Sequence, residues 1–364
     1  MFIADVVGTY DVFAGSRDAA VRSAAQTPVN DPFLLVPAMA AVTEHLGFGV
    51  TSGFVQYPPF TFARLQSTLD HLTNGRAAWN VVTSYLETTA KSYGQVTLPD
   101  HDERYAMADE YCRLLYRLWE DSWADDAVKR DRARGIYADP ARVRDIDHDG
   151  RWFKLHGCHI SEPSPQRTPV LFQAGASERG TAFAAEHAEA VFVIGSKPEV
   201  AGGYARTIRD KVGHYGRNPD DVKVFAYMKV VVGGTEAEAK AKYDEYYSQV
   251  SYEGAMALLC GWSGTDLSQY DPDLPVEYIE TNAIRTMLHS FTAGDPTRKW
   301  TMRDIANYIG IGGAGPVLVG TPEQIADQFE DWITAGVDGF NLAFTTIPQS
   351  YVDFIDGVVP VLQK

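Results

Sequence analysis

The stretch PVLFQAGASERGTAFAAEHAEAVFVI (169–194) carries a complete β–α–β pattern. The apolar run 169–173 predicts a strand, 178–187 predicts a helix, and 190–194 predicts a second strand. Small residues at 174–176 separate the first strand from the helix. Two strands joined in this way by a helix are typical of a parallel sheet.

The same alternation of strand and helix runs through the rest of the chain. Strands are predicted at 2–7, 48–54, 76–83, 169–173, 190–194, 222–232 and 339–344. Helices are predicted at 32–46, 61–72, 103–119, 178–187, 198–215 and 351–362, and one more begins at Thr321-Pro322-Glu323.

This series predicts an α/β fold of the TIM (β/α)8-barrel type, as a single domain over residues 1–364. We interpret 120–165 and 236–300 as insertions, and the second as a candidate lid. A barrel needs eight strands and only seven strand runs are counted, and the chain opens directly on a strand. We therefore expect the first βα unit to be missing from the front of this chain.

The composition limits the classes of partner. Of the 364 residues 45% are hydrophobic and 22% charged, which is typical of a globular protein. Lys and Arg number 32 against 48 Asp and Glu, a net charge of −16 that disfavours nucleic acids and anionic membranes. The three cysteines are far apart and form no CxxC, and the N-terminal MFIADVVG lacks the features of a signal peptide. We expect a cytoplasmic protein without disulfides.

Polar side chains end the third predicted strand, in Asn80-Val81-Val82-Thr83-Ser84-Tyr85. Catalytic groups of barrels lie at the carboxyl ends of strands, and Asn and Ser suit a heterocycle with carbonyl and imide edges. The alternative is an ordinary polar transition from strand to loop.

A second candidate is the start of the helix at Gly175-Ala176-Ser177. The small residues allow a ligand to approach the backbone, and the free N–H groups with the Ser177 hydroxyl suit a phosphate. The alternative is that Ser177 only caps its helix.

A third candidate is His101-Asp102-Glu103-Arg104-Tyr105, in which His101 and Tyr105 share one helix face at i, i+4. Both side chains suit an anion. The alternative is a surface helix capped by Asp100 or Asp102.

Several motifs are excluded. Gly310–Gly315 matches GxGxxG, but a helical pattern precedes it and Pro316 with a short apolar run follows, whereas a dinucleotide site needs strand before and helix after. His156, Cys158 and His159 have no further Cys or His nearby, so we expect no metal. Without a P-loop, HExxH or nucleophile elbow, a cofactor should carry the chemistry, and one phosphate site suggests a mononucleotide such as a flavin.

Several longer segments resemble one family in order along essentially the whole chain. They include TNGRAAWNVVTS (73–84), HDERYAMADEYCRLLYRLWEDSW (101–123), PVLFQAGASERG (169–180) and VGTPEQIADQFEDWITAGVDGFNL (319–342). Together they are similar to the nitrilotriacetate / dibenzothiophene-sulfone / EDTA monooxygenase family of FMNH₂-dependent, bacterial luciferase-like flavin monooxygenases.

The resemblance implies a two-component monooxygenase that uses FMNH₂ and O₂ through a C4a-(hydro)peroxyflavin. A separate NAD(P)H:flavin reductase would supply the reduced FMN, and the chain would form a homodimer or homotetramer. Substrates of the family are small organosulfur compounds, aminopolycarboxylates or alkanes. Family members usually begin with a further strand and helix, which contribute residues under the flavin ring.

The resemblance also implies roles for single residues. Asp5 and Ser52 would bind the cofactor, and Asn80 and Ser84 would lie near the isoalloxazine. Those that hold the ribityl phosphate would be His101, Tyr105, Gly175, Ala176 and Ser177. The substrate pocket would be lined by Phe2, Tyr10, Tyr85, Phe192, Ile194 and Trp262. Tyr10 and Tyr85 are the candidate catalytic hydrogen-bond donors. Some members have a histidine in the pocket near Trp262, where this chain has Gly261-Trp262-Ser263.

Three other functions stay open from the sequence. One is a truncated barrel that binds flavin without turnover, supported by the expected missing strand. Another is a deazaflavin-dependent luciferase-like oxidoreductase, which NVVTS (80–84) and HDERY (101–105) disfavour. A generic barrel hydrolase lacks an identifiable metal or nucleophile motif.

Overall fold

The computed structural model describes residues 1–175, 177–276 and 299–364. Its strands are β1 (Phe2–Ile3), β2 (Phe48–Gly53), β3 (Ala77–Val82), β4 (Val128–Asp131), β5 (Ile136–Ala138), β6 (Ile146–Asp149), β7 (Lys154–Gly157), β8 (Val170–Gln173), β9 (Ala190–Val193), β10 (Lys223–Val232), β11 (Val317–Gly320) and β12 (Gly339–Ala343).

Helices follow most of these strands. They are α1 (Asp18–Arg22), α2 (Pro32–Ala40), α3 (Pro59–Thr73), α4 (Glu87–Ser92), α5 (His101–Tyr116), α6 (Glu178–His187), α7 (Pro198–His214), α8 (Glu236–Ser248), α9 (Tyr252–Ser263), α10 (Met302–Gly310), α11 (Pro322–Ala335), α12 (Gln349–Asp353) and α13 (Val359–Leu362). No helix in the described ranges is long and apolar enough to cross a bilayer.

The first of two compact units comprises Met1–Val6, Val29–Ser84 and Ala90–Ala190. Its parallel strands follow the order β1-β2-β3-β8. Every residue of β2 is buried, as expected for a strand covered on both faces. Because the strands are parallel, their carboxyl ends lie at one edge of the sheet, and the polar residues that follow them share that edge.

The aromatic core of this unit forms between the sheet and the helices α3 and α5. Phe62 of α3 packs on Trp79 of β3 with ring centroids 4.7 Å apart, and Tyr111 of α5 packs on both. The helix α3 ends where Asn74 adopts a left-handed conformation (φ 54°), so the Asn74-Gly75 turn is formed as the sequence indicates. These contacts fix the strands that carry Ser52 and Asn80.

The second unit comprises Val7–Pro28, Tyr85–Thr89 and Val191–Lys364. Its central strand is β10, which pairs in parallel with β11 and with β12. Thr321 starts α11 with a capping box to Gln324, which confirms the predicted helix start. The apolar faces of α9 and α10 pack together and form a separate core.

The structure corrects three sequence predictions: the number of strands, the length of the first strand and the start of the last helix. The short apolar run after the glycine-rich loop forms the strand β11, so the sequence-based count of seven strands is one short. In the described residues each unit carries four parallel strands. The first strand covers only Phe2–Ile3 instead of 2–7, and the helix predicted at 351–362 begins at Gln349. The segment 120–165 contains two antiparallel hairpins, β4–β5 and β6–β7. Of the candidate lid, 277–298 lies outside the described residues.

Candidate functional site

The carboxyl ends of β2 and β3 place Ser52, Asn80 and Ser84 in the first unit, as the sequence predicts. Asn80 is buried; its Nδ2 donates to Thr51 Oγ1 over 3.1 Å, while its Oδ1 is buried without a hydrogen-bond partner. Ser84 follows β3 in a left-handed conformation (φ 62°), and its Oγ would lie 3.4 Å from a Cβ at Gly53. An unsatisfied buried acceptor is costly, so Asn80 Oδ1 fits a site that a ligand N–H completes.

Asp5 follows β1 and is half-buried. Burial and the nearby Asp31 carboxylate raise the pKa of Asp5 above its ordinary value. Its Oδ2 lies 3.4 Å from Nε2 of Gln56, and Oε1 of the same Gln56 accepts a hydrogen bond from Ser52 Oγ over 2.8 Å. Asp5 and Ser52 therefore belong to one hydrogen-bonded group.

The residues predicted to hold a phosphate lie together at the N-terminus of α6. Ser177 is the N-cap of α6, and its Oγ accepts a hydrogen bond from Gly180 N over 3.0 Å. Ser177 therefore does cap the helix. The same Oγ lies 3.3 Å from Nε2 of His101, whose Nδ1 is 2.8 Å from Asp102 Oδ1. Capping and phosphate binding are compatible, since a serine hydroxyl keeps a proton to donate while it accepts.

The structure shows no side-chain capping hydrogen bond from Asp100 or Asp102 at the start of α5, which was the alternative for HDERY (101–105). Asp100 occupies the N-cap position of α5 but makes no side-chain capping hydrogen bond, and Asp102 is bonded to His101. The rings of His101 and Tyr105 lie 5.1 Å apart, as their i, i+4 spacing predicts.

Tyr105 joins the phosphate site to the end of β3. Its hydroxyl lies 3.4 Å from Gln173 Nε2 and near the side chains of Thr83 and Ser177, and burial raises its pKa. A Cβ at Gly175 would lie 2.8 Å from this hydroxyl, so the absence of a side chain there is required. The close neighbour of Gly175 is thus Tyr105, and the approach of a ligand to this backbone stays a prediction; Ala176 lies outside the described residues.

Tyr10 and Tyr85, the candidate catalytic pair, meet in the second unit through a hydrogen bond between their hydroxyls. The indole of Trp262 lies near both hydroxyls and acts to lower their pKa values. Tyr10 is 1% exposed, whereas Tyr85 keeps 44% of its surface exposed. Burial raises the pKa of both tyrosines, so both remain protonated donors at neutral pH.

The other predicted pocket residues make only ring contacts or are exposed. Phe2 of β1 lies 6.2 Å from Phe172 of β8, centroid to centroid, in the first unit. Phe192 of β9 lies 6.2 Å from Phe225 of β10 in the second unit, and Ile194, just after β9, is half exposed. Their contribution to a substrate pocket stays a prediction.

The glycine-rich GxGxxG segment serves a structural purpose. Lys229 of β10 donates from Nζ to the carbonyls of Tyr308 and Gly313 over 3.0 and 2.6 Å. Gly312 and Gly313 have φ of 124° and 104°, which only glycine adopts without strain. The motif therefore wraps a buried lysine.

Sequence reasoning missed four contributors: Gln56, Thr83, Gln173 and Gly261. Thr83 follows β3 directly, and Gln173 is the last residue of β8. Gln56 lies past the end of β2, and Gly261 matters through a contact with Tyr10 that is remote in sequence. The polar ends of β3 and β8 were the available signal for the first two.

Comparison with known proteins identifies relatives along the whole chain. The family model described as luciferase-like monooxygenase matches residues 14–339. Dimethyl-sulfide monooxygenase of Hyphomicrobium sulfonivorans is 51% identical over 100% of this chain and 76% of its own length. Long-chain alkane monooxygenase of Geobacillus thermodenitrificans is 46% identical over 100% of this chain and 79% of its own, and dibenzothiophene-sulfone monooxygenase of Rhodococcus erythropolis is 37% identical over 100% and 82%.

Solved structures agree in fold. The crystal structure of DmoA from Hyphomicrobium sulfonivorans superposes with a TM-score of 0.93, covering 100% of this chain and 77% of that one. A riboflavin lyase solved with modified FMN and riboflavin superposes with a TM-score of 0.88 at 38% identity, covering 100% and 80%. These matches confirm the predicted α/β fold of the luciferase-like barrel type, and the named relatives confirm a monooxygenase. The chain belongs to the luciferase-like monooxygenase family.

Proposed function

We propose that this chain is the oxygenase component of a two-component system. It takes reduced FMN from a separate NAD(P)H:flavin reductase and uses O₂ to oxidise a small, uncharged organic substrate. We further propose that it works in the cytoplasm as a homodimer or homotetramer. The observation that carries the proposal is the phosphate site at the start of α6.

The phosphate site fits one phosphate group. Ser177, His101 and Tyr105 converge on the N-terminus of a helix of 10 residues, where free N–H groups favour an anion. Gly175 and Gly180 keep the backbone close to the Tyr105 hydroxyl. A single phosphate site of this kind suits a mononucleotide, and these residues would hold the FMN phosphate.

The strand ends fit the ring of the same cofactor. Asn80 Oδ1, near the end of β3, is a buried acceptor without a partner, and Thr83, just after β3, lies near the Tyr105 hydroxyl. A reduced isoalloxazine carries ring N–H groups that such acceptors bind. When bound and reduced, the flavin supplies the electrons that activate O₂.

The tyrosine pair can supply a hydrogen bond to the reacting molecules. Tyr10, Tyr85 and Trp262 bring three donor hydrogens to two hydroxyl oxygens. If Trp262 donates to one hydroxyl and one tyrosine donates to the other, a single O–H remains uncommitted within the group. We assign that O–H to a developing negative charge on oxygen or to the substrate.

Among the family's substrate classes we favour organosulfur compounds and alkanes over aminopolycarboxylates. The net charge of −16 does not steer a multiply charged anion toward the protein. The two relatives above 45% identity are named for dimethyl sulfide and long-chain alkanes, both uncharged.

Anaerobic titration of the chain with reduced FMN, followed by tryptophan fluorescence, tests the proposal. Aspartate is as good an N-cap as serine, so Ser177→Asp should keep α6 intact while its carboxylate repels the phosphate. We expect binding in the micromolar range that the variant loses by at least about tenfold. Equal affinity in the two proteins would contradict the phosphate site, and a folded chain that binds no flavin would contradict the function.

A further inference from the structure

Gln56 connects the ends of two neighbouring strands through one side-chain amide. It lies in the turn after β2, where its backbone N–H donates to Gly53 O over 3.2 Å. Its Oε1 accepts from Ser52 Oγ over 2.8 Å and also from Gly53 N, and its Nε2 donates to Asp5 Oδ2 over 3.4 Å. The orientation of this amide is fixed, because a backbone N–H only donates and therefore requires the oxygen on its side.

The orientation of Gln56 decides what Ser52 and Asp5 offer to a ligand. Ser52 is 1% exposed, and its hydroxyl proton is committed to Gln56, so its oxygen can only accept further hydrogen bonds. Asp5 in its ionised form also only accepts. With the unpartnered Oδ1 of Asn80, the ends of β1, β2 and β3 present three acceptors.

We propose that Gln56 is a positioning residue that holds Ser52 and Asp5 as acceptors for the N–H groups of the reduced flavin ring. The inference rests on the proposed function and deepens it. Gln56 itself acts through its two neighbours.

The charges around Gln56 make the proposal testable by pH. The titratable groups that face Asp5 are Asp31, before α2, Tyr57, in the same turn as Gln56, and Tyr93, just after α4. None of these neighbours carries a positive charge, so a second carboxylate at position 56 would repel Asp5. A protonated carboxylic acid there would still accept from Ser52 and donate to Asp5, as the amide does.

Gln56→Glu should therefore bind reduced FMN in a pH-dependent manner. We expect its affinity, relative to the unsubstituted chain at the same pH, to fall about tenfold at about pH 8 and to recover to within about twofold at about pH 5.5. Gln56→Leu, which has no proton to regain, should stay about tenfold weaker at both pH values. The measurement is anaerobic fluorescence titration with reduced FMN.

Gln166→Glu is the matched control. The Gln166 amide donates to Asp70 Oδ1 over 2.6 Å and to Ala77 O over 2.8 Å, so this variant also places two carboxylates together, away from the strand ends. It should lower the urea midpoint at high pH but leave the flavin affinity of the folded protein unchanged.

The outcomes separate the two proposals. If the unsubstituted chain binds reduced FMN but Gln56→Glu matches it at both pH values, the role of Gln56 is wrong and the function stands. The role is also wrong if Gln166→Glu reproduces the pH-dependent loss of affinity, because general destabilisation would then explain it. A folded unsubstituted chain without affinity for reduced FMN overturns both.

Discussion

The ring of Tyr10 lies directly against the backbone of α9 at Gly261, where a Cβ atom would overlap Cδ1 and Cε1 of the tyrosine. Glycine inside a helix costs about 1 kcal/mol relative to alanine. Here the missing side chain lets a fully buried tyrosine approach the helix at the residue next to Trp262. The hydroxyl of Tyr10 then reaches both Tyr85 and Trp262.

Gly261→Ala should displace Tyr10 and weaken its hydrogen bond to Tyr85. We expect a loss of about 1–3 kcal/mol in the free energy of unfolding, because an added methyl group overpacks a filled site. We also expect kcat to fall about tenfold with little change in flavin affinity, since the phosphate site does not involve Tyr10. Urea unfolding and flavin titration measure the two effects separately.

Gly203→Ala is the control for this prediction. Gly203 lies inside α7, and a Cβ there would meet only Arg206, at 4.0 Å. Alanine should stabilise this helix by up to about 1 kcal/mol and leave activity unchanged. If Gly261→Ala behaves like Gly203→Ala, the close contact between Gly261 and Tyr10 affects neither the free energy of unfolding nor kcat.

Tyr10→Phe and Tyr85→Phe should each remove one hydroxyl from the donor group while the rings stay in place. We expect each to lower the rate of substrate oxidation about 10- to 100-fold, and the double variant to lose much less than the product, because the two hydroxyls act together. Single-turnover oxidation of dimethyl sulfide by the chain with reduced FMN and O₂ is the measurement. Losses that multiply fully would indicate independent packing roles.

Much of the arrangement at the start of α6 could be predicted because its determinants are local in sequence. Strand, small residues and helix start follow one another at 173–178, and the helical spacing of His101 and Tyr105 fixes their common face. Such features depend on backbone geometry that each segment specifies by itself.

The remaining contributors depend on contacts between distant residues. Nothing in the sequence near Gly261 indicates that Tyr10 will pack on it, and Gln56 gains its role only when β1 and β2 pair. The strand β11 was missed for a related reason: four residues after a glycine-rich loop carry little periodicity, and pairing with β10 makes them a strand.

His159 should make the protein less stable in mild acid. It is 2% exposed, its Nε2 lies 3.0 Å from Ser67 Oγ, and burial lowers its pKa to about 4 from an ordinary value of 6.5. The unfolded chain therefore binds more protons between these values, and the free energy of unfolding falls as the pH falls through them. His159→Gln should reduce this slope by up to about 1.4 kcal/mol per pH unit in urea titrations.

His45→Gln provides the comparison, since the His45 side chain is 97% exposed. It should leave the acid slope unchanged. If His159→Gln also leaves the slope unchanged, His159 binds the same number of protons in the folded and the unfolded protein over this pH range.

Lys229 should change the free energy of unfolding at neutral to alkaline pH. It is 1% exposed, its Nζ lies 4.4 Å from the centre of the Tyr308 ring, and no carboxylate in the described ranges forms an ion pair with it. Burial lowers its pKa to about 7 from 10.5, so the unfolded chain binds more protons between these values. The free energy of unfolding should then rise with pH across that window, by up to about 1.4 kcal/mol per pH unit.

Lys229→Met should abolish this rise, because methionine binds no proton in either state. The variant leaves the carbonyls of Tyr308 and Gly313 without their donor, which costs about 1–3 kcal/mol at any pH. The test therefore compares the pH dependence of the free energy of unfolding and not its absolute value. Urea unfolding at several pH values between about 7 and 9.5 gives the slope while the tyrosines remain protonated. A Lys229→Met protein that keeps the full slope would show that the lysine is charged in the folded protein throughout this range.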